Sequence, residues 1–292
     1  MQKSQENLMQ LIKPHVRSIG AFDVHRLLPA FPQKTIGPFI FFDHMGPADL
    51  PPGQGMDVRP HPHIGLATVT YLFDGAGLHR DSLGSKQRIV PGDVNWMTAG
   101  RGIVHSERTA PEDLATGVRL HGLQIWIALP KAFEEAEPSF SHHPSSTIPR
   151  VTLPGATLRV ILGTAYGATS PVETYSDTVY VAAELEAGAA LPFSAEHAER
   201  GVYVVEGNVR LNGNPVPPRH MVFLSGEGEV LIEAEEPSKV ALIGGEPLDG
   251  ERFIWWNFVA SSREKIEEAK ARWREQQFGK VPEETEWIPL PE

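Results

Sequence analysis

Short apolar stretches separated by Gly, Pro and Asp dominate the pattern along the first half of the chain. Residues 39–42, 65–73 and 94–97 are such stretches, and the longest of them is rich in β-branched and aromatic residues. Residues 120–129 alternate partly between apolar and polar positions, which is typical of a half-buried strand. The pattern therefore predicts β-strands joined by tight turns.

The second half repeats this pattern and then ends differently. Its strand candidates are separated by turns rich in Gly and Asn, and they lie at residues 158–163, 178–185, 200–206, 208–211, 220–224 and 230–233. After them, Ser261 or Ser262 is expected to cap a helix that runs to about residue 277. That helix carries an apolar stripe for docking, formed by Ile266, Ala269 and Trp273. The sequence thus predicts an all-β protein of two β-barrel-like halves with a C-terminal helix.

Length favours two domains. A chain of 292 residues exceeds one ordinary core and suits two domains of about 100–150 residues each. We place the first domain at residues 1–130, a linker at residues 131–157 and the second domain at residues 158–292. The linker contains several prolines and two adjacent histidines, and a short helical turn is expected over residues 132–136.

Charge balance and cysteine content exclude several classes of protein. The 37 acidic residues outnumber the 26 basic ones, so the surface repels phosphate backbones and direct nucleic-acid binding is not expected. Because cysteine is absent, any metal must be held by His, Asp or Glu. No apolar run approaches the roughly 20 residues of a membrane span, and residues 1–11 do not resemble a secretory signal. We therefore expect a cytoplasmic protein without a membrane segment.

Two pairs of residues with metal-ligating side chains share the same spacing. His61-Pro62-His63 and His105-Ser106-Glu107 each place two such side chains at i and i+2, which project from the same face of a strand. Since Pro62 cannot donate to a sheet, the first pair is expected at the start of a strand or on an edge. Imidazole with carboxylate suits Fe(II), Mn(II), Ni(II), Cu(II) or Zn(II) better than Ca or Mg. The two pairs together favour one metal site.

The residues around both pairs resemble the cupin motifs. Gly55 and Gly75 flank His61-Pro62-His63 at the spacing of the first cupin motif. Gly102-Ile103-Val104-His105 is similar to the second motif, in which a glycine stands three residues before a histidine. The resemblance implies that both pairs lie in one cupin barrel.

One departure from the cupin pattern points to a single family. Thr68 stands where many cupins carry their carboxylate ligand, and Glu107 makes up for its absence two residues after His105. This arrangement resembles the pirin family. Longer stretches of sequence also resemble this family, at residues 42–47, 59–75, 91–107 and 244–259. The resemblance covers nearly the whole chain.

The pirin resemblance implies a bicupin, in which two jelly-roll-like β-barrels are followed by a helix. Pirin-like proteins hold one divalent metal ion, usually iron, in the N-terminal domain, so the implied ligands are His61, His63, His105 and Glu107. Fe(II) is therefore the favoured ion, with Mn, Ni, Cu or Zn as alternatives. The second domain is implied to lack a metal, since no His-x-His stands beside His197 and Glu199.

The same resemblance implies an activity and its alternatives. Some pirin-like proteins are quercetin 2,3-dioxygenases, which cleave a flavonol with O2 and release carbon monoxide. We expect such an oxidoreductase here, with Glu107 as the candidate base for the substrate hydroxyl. An oxygenase for another small enol or diol is one alternative. A non-catalytic, iron-binding, redox-sensing regulator that binds a protein partner is another.

Several further residues have interpretations that the sequence leaves open. Asp43 and His44 either orient a ligand imidazole or form a turn with a surface histidine. Gly100 and Gly102 are expected to form a turn with positive φ before the ligand strand. Four other histidines have no ligand spacing and are expected to be structural or exposed, namely His79, His121, His142 and His143.

Overall fold

Antiparallel β-strands dominate the computed structural model, which describes residues 8–292. Strands hold 51% of the residues and helices 7%, which confirms the all-β prediction. The predicted first domain and the polar stretch at residues 1–11 both begin outside the described residues. Contacts divide the chain into two units that interleave along the sequence. Unit 1 comprises residues 8–15, His25–His44 and Ser146–Pro247, and unit 2 comprises Val16–Val24, Met45–Ser145 and Leu248–Glu292.

Strands follow one another closely along the whole described chain. Up to residue 145 they are β1 (Leu8–Ile12), β2 (His15–Ser18), β3 (Asp23–Leu28), β4 (Phe39–Leu50), β5 (Asp57–His63), β6 (Leu66–Asp74), β7 (Gly77–Asp81), β8 (Lys86–Ile89), β9 (Val94–Thr98), β10 (Ile103–Arg108), β11 (Val118–Ala128) and β12 (Ser139–His143). Beyond that residue they are β13 (Arg150–Leu153), β14 (Ala156–Leu162), β15 (Thr164–Ala165), β16 (Ala168–Thr169), β17 (Thr178–Leu185), β18 (Ala190–Phe193), β19 (Glu199–Glu206), β20 (Val209–Leu211), β21 (Asn214–Val216), β22 (Met221–Ser225), β23 (Val230–Ala234), β24 (Ser238–Gly245), β25 (Phe253–Trp255) and β26 (Phe258–Ala260). The helical elements are α1 (Pro111–Thr116), a 3-10 turn over Lys131–Phe133 and α2 (Arg263–Arg274).

Unit 1 is built from two facing antiparallel sheets. One sheet has the order β1-β22-β19-β24-β17-β14-β13, and the other has the order β18-β23-β20-β21. Alternate residues of both sheets point inward and form one apolar core, which includes Leu158, Val181, Val204, Ile232 and Leu242. This arrangement is the predicted second barrel.

Unit 2 repeats the arrangement with strands from the first half of the chain. Its sheets contain the strand orders β12-β9-β6-β11 and β5-β10-β7-β8. Strand β5 lies at the edge of its sheet, as Pro62 predicts, because a proline nitrogen cannot donate to a neighbouring strand. Fully buried side chains from the first of these sheets, among them Leu66, Val69 and Leu123, contribute to the apolar interior.

The C-terminal helix forms where the sequence predicts it. Ser262, rather than Ser261, caps helix α2 by accepting a hydrogen bond from the backbone nitrogen of Lys265 at 3.4 Å. The predicted stripe is buried in an apolar cluster with Phe258 and Phe278, and its members are Ile266, Ala269 and Trp273. Neither helix of the described chain is long and apolar enough to cross a membrane.

The predicted linker contains structured elements. Strand β12 pairs along its length with β9, so this part of the segment belongs to a sheet. Pro138 and Pro144 stand directly before and after β12, where they end the strand pairing without interrupting it. The expected helical turn is the 3-10 turn at Lys131–Phe133. The linear domain boundaries at residues 130 and 158 stay a prediction.

Two neighbouring residues of β23 test the alternation of buried and exposed positions in unit 1. Ile232 is fully buried, whereas Leu231 is 37% exposed. We expect Ile232→Ala to lower the free energy of unfolding by about 2–5 kcal/mol, because it removes buried methylene groups and leaves a cavity. Leu231→Ala serves as the matched control and is expected to cost less than about 1 kcal/mol. Equal losses in urea unfolding would contradict the assigned register.

Candidate metal centre

Strand β10 lies between β5 and β7 and brings the predicted residues to one face of the sheet. His105 stands opposite His61 on β5 and opposite Asp81 on β7. Because residues two apart project from the same face, His63 joins His61 and His105 on that face. The pairing of β10 with β5 shifts register between His105 and Glu107, while its pairing with β7 continues without a break.

Three imidazoles converge on one point. Within the described part of the chain, ring nitrogens of His61, His63 and His105 lie within 4.8 Å of one another. The three residues are 6%, 1% and 1% exposed, and the Nε2 atoms of His63 and His105 are 3.1 Å apart. Two nitrogens bound at right angles to one ion at about 2.1 Å would be separated by roughly 3.0 Å. The donor set therefore fits a divalent transition metal.

Backbone carbonyls orient two of these rings. The Nδ1 atom of His61 donates to the carbonyl oxygen of Arg59 at 2.8 Å, and Nδ1 of His63 donates to that of Asn257 at 3.2 Å. With a proton on Nδ1, each neutral ring keeps its lone pair on Nε2, the nitrogen that a metal would bind.

Asp43 and His44 do not supply this orientation. The carboxylate of Asp43 accepts two hydrogen bonds from the guanidinium of Arg26, both at 2.8 Å. The Nδ1 atom of His44 lies 2.6 Å from the hydroxyl of Tyr203. For His61 and His63, the proposed role in holding a ligand ring is thus taken by carbonyls, which the sequence pattern could not reveal.

Burial keeps the three rings neutral. It lowers the pKa of His61 to about 4, because a charged imidazolium loses its hydration there. Burial, and then the neighbouring histidines, hold the pKa values of His63 and His105 well below 6.5. All three rings can therefore donate a lone pair to a metal at neutral pH without first losing a proton.

Glu107 lies on the same face but outside the group of three rings. Its Oε1 accepts a hydrogen bond from Nε2 of Gln124 at 3.3 Å, and the hydroxyl of Thr70 donates to Oε1 of Gln124 at 2.6 Å. Although the side chain is only half-buried, the surrounding protein raises the pKa of Glu107 through desolvation. The carboxylate of Glu107 is not part of the group of ring nitrogens that lie within 4.8 Å of one another, so its role as a metal ligand stays a proposal.

Two glycines shape the turn that leads into β10. Gly100 and Gly102 have φ values of 50° and 142°, which confirms the expected turn with positive φ. A side chain at Gly102 would collide with the ring of Phe278, which packs against this turn. The turn therefore needs glycine both for its backbone and for this close approach.

His79 and Asp81 are functional candidates that the sequence interpretation passed over. His79 is only 5% exposed, and its Nδ1 lies 3.4 Å from Nδ1 of His105. Asp81 is fully buried beside it. The available signal was the spacing of His79 and Asp81 at i and i+2 on a strand, which is the spacing that marks His61 and His63.

The other three histidines have structural surroundings, as expected. His121 is buried beside the ring of Phe73. The Nδ1 atom of His142 bonds Oδ1 of Asn95 at 2.7 Å. His143 bonds the hydroxyl of Ser141 at 3.2 Å.

Two barrels of this type, one of them carrying a buried histidine cluster, define the class of the protein as a bicupin with a candidate metal centre. Residues 21–127 match the family model described as Pirin, and residues 180–279 match that described as Pirin C-terminal cupin domain. The chain belongs to the pirin family.

Similar proteins extend over nearly the whole chain. A pirin-like protein of Caulobacter vibrioides is 49% identical over 283 residues, with 94% of this chain and 96% of that protein covered. A Pseudomonas aeruginosa protein named provisionally as a quercetin 2,3-dioxygenase is 36% identical, with 94% and 87% covered. A crystal structure described as quercetin 2,3-dioxygenase from Acinetobacter baumannii is 36% identical, with a TM-score of 0.91 and 97% and 95% covered.

Removal of two of the clustered rings tests whether they hold the metal. We expect the double variant His61→Ala/His105→Ala to lose its single equivalent of bound metal, because half of the proposed donors disappear. Elemental analysis after dialysis measures the bound metal, and His15→Ala, which removes an exposed histidine, is the control. One retained equivalent in the double variant would show that the ligands lie elsewhere.

The raised pKa of Glu107 predicts a pH-dependent difference in stability for the metal-free protein. Between the unfolded value of 4.5 and the higher folded value, the native state holds the proton more tightly. The free energy of unfolding therefore falls as the pH rises, by at most about 1.4 kcal/mol per pH unit from this one group. Glu107→Gln removes this loss. Measured by urea unfolding in the presence of chelator, the free energy of unfolding of the variant should therefore exceed that of the wild type by a margin that grows above pH 4.5. A difference that shrinks with pH would contradict the assignment.

Proposed function

We propose that this chain is a metal-dependent dioxygenase, with iron as the bound ion, that acts on a flavonol such as quercetin or on a related small enol or diol. The convergence of His61, His63 and His105 as buried, neutral donors is the observation that carries the proposal. Both the Pseudomonas aeruginosa protein and the Acinetobacter baumannii structure described above bear the name quercetin 2,3-dioxygenase, the first provisionally, which supports the same reaction. Its partners would be the small-molecule substrate and O2, with the cytoplasm as the expected location.

Four residues would hold the ion in this proposal. They are the three imidazoles and the carboxylate on the following position of the same strand face, namely His61, His63, His105 and Glu107. The bound metal would polarise the substrate oxygen and supply the one-electron chemistry that activation of O2 requires. Because the set is rich in nitrogen, it suits Fe(II), Mn(II), Ni(II), Cu(II) or Zn(II) better than Ca or Mg.

Glu107 is the residue to which we assign proton transfer. Thr70 donates to Oε1 of the Gln124 amide, so the amide turns its Nε2 toward Oε1 of Glu107. Held at that oxygen, the carboxylate can accept the proton of the substrate 3-hydroxyl at Oε2. Desolvation raises the pKa of Glu107 in the metal-free protein, whereas a bound dication would lower it, so we assign the proton to the carboxylate oxygen that does not hold the metal.

The surroundings of the imidazoles keep water away from the reacting groups. The ring of Trp126 packs edge-on against His63 with centroids 5.0 Å apart. On strand β6, Leu66, Thr68 and Thr70 share the face of Trp126 and are buried. In such a dry setting, the attraction between opposite charges is stronger than in water.

Turnover of quercetin by the reconstituted protein tests the proposal. Aerobic assays with protein loaded separately with Fe(II), Mn(II), Ni(II) or Cu(II) should show metal-dependent loss of the flavonol absorbance and release of carbon monoxide. Glu107→Gln should lower the rate by about 100-fold or more, since it removes the base. Glu184→Gln, on an exposed position of β17, is the control.

A metal-loaded protein that does not turn over quercetin would contradict the flavonol dioxygenase. One tightly bound iron, no loss of flavonol and no carbon monoxide would instead favour the redox-sensing regulator. Pull-down of protein partners with the oxidised and reduced forms would then be the decisive comparison.

A further inference from the structure

A second row of buried polar residues stands behind His105. Its Nδ1 atom, which faces away from the convergent Nε2 atoms, lies 3.4 Å from Nδ1 of His79. The other nitrogen of His79, Nε2, lies 3.0 Å from Oδ2 of Asp81. His79 meets His105 on the side remote from the centre, so it is not placed as a further ligand.

The carboxylate of Asp81 is locked in orientation. Its Oδ1 accepts hydrogen bonds from the backbone nitrogens of Leu83 and Ser85 at 2.9 and 3.0 Å. Oδ2 is left for His79, and the whole residue is inaccessible to solvent. An ionised carboxylate only accepts hydrogen bonds, so the ring of His79 must donate to it from Nε2.

In one of the two protonation states of the His79 ring, this donation also sets the proton of His105. With its single proton on Nε2, the ring of His79 presents a lone pair on Nδ1 and can only accept from Nδ1–H of His105. His105 then keeps its own lone pair on Nε2, which faces Nε2 of His63. The ring of His79 is also held in place by stacking on Phe140, at 4.2 Å between centroids and 10° between planes.

We propose that Asp81 and His79 are positioning residues that hold His105 in its Nδ1–H tautomer and aim its Nε2 at the metal. The proposal rests on the metal centre proposed above. His61 and His63 are oriented by backbone carbonyls, and His105 is oriented by this side-chain pair in their place. Partners of this kind typically change metal affinity when they are removed, because a misdirected ring is a poorer ligand.

Nitrogen-15 NMR of histidine-labelled, metal-free, full-length protein tests the arrangement without any metal. We expect His105 to carry its proton on Nδ1 and His79 to carry its proton on Nε2. A wild-type His105 protonated on Nε2 overturns the proposal, whatever the variants do.

Asp81→Asn reverses the direction of the hydrogen bond to His79 with little change in the shape of the side chain. The Asn oxygen keeps the bonds from Leu83 and Ser85, while the amide group in place of Oδ2 can only donate to Nε2 of His79. The proton of His79 should then move to Nδ1, so that two N–H groups confront each other. Chelator competition with Fe(II) or Mn(II) should show affinity weakened by about 10- to 100-fold.

Two further variants separate orientation from general damage. Asp93→Asn is the matched control, since Asp93 is also buried and accepts backbone N–H bonds from Val90 and Ser145, and its affinity for metal should be unchanged. His79→Phe keeps a ring to stack on Phe140 but removes both nitrogens, and it should weaken binding as Asp81→Asn does. Wild-type affinity in both Asp81→Asn and His79→Phe overturns the proposal.

Failure of the proposed function gives a different result. If the wild-type protein binds metal without oxidising a flavonol, the dioxygenase is contradicted, whereas the NMR tautomers and the loss of affinity still support the positioning pair. If His105 carries its proton on Nε2 while turnover is normal, the proposal for Asp81 and His79 is contradicted and the proposed function stands.

Discussion

The register of β10 between β5 and β7 is the constraint on which the candidate centre depends. It sets His105 opposite His61 on one side and Asp81 on the other, so donors and their orienting partner share one face. A slip of one residue would turn these side chains to the opposite face, because strand positions alternate. Proline in β5 is compatible with this register only because β5 is an edge strand.

The opposite face of β10 shows a second use of the same strand. Ser106 and Arg108 project there, and both donate to Oε1 of Glu284 at 2.8 Å. Arg108 also pairs with Asp57 of β5, which ties the two ligand-bearing strands together from outside. Polar contacts on this outer face thus stabilise the register, while the inner face carries the imidazoles with Glu107 and Asp81.

Burial of imidazole nitrogens on the inner face of β5 and β10 costs free energy that an apolar core would not. In the proposed tautomers, lone pairs of His63 and His105 face each other at 3.1 Å among buried side chains, where neither can satisfy the other without a proton or an ion between them. Such local conflicts are characteristic of functional sites. A metal ion between the rings would resolve this one, and Glu107, whose pKa is raised by desolvation, lies on the same face.

The sequence by itself determined many of the strands, the capped C-terminal helix and the two pairs of candidate ligands, because period-two patterns, turn residues and i, i+2 spacing are local properties. It missed β1 to β3 and the strands β12 and β13 of the predicted linker. It also carried the resemblance to the pirin family, which two family models confirm. Only the tertiary structure decided that three imidazoles converge while Glu107 bonds Gln124, and that His79 and Asp81 stand behind His105. Those contacts join strands far apart in the chain, and register and burial become defined only when the sheets pair and close.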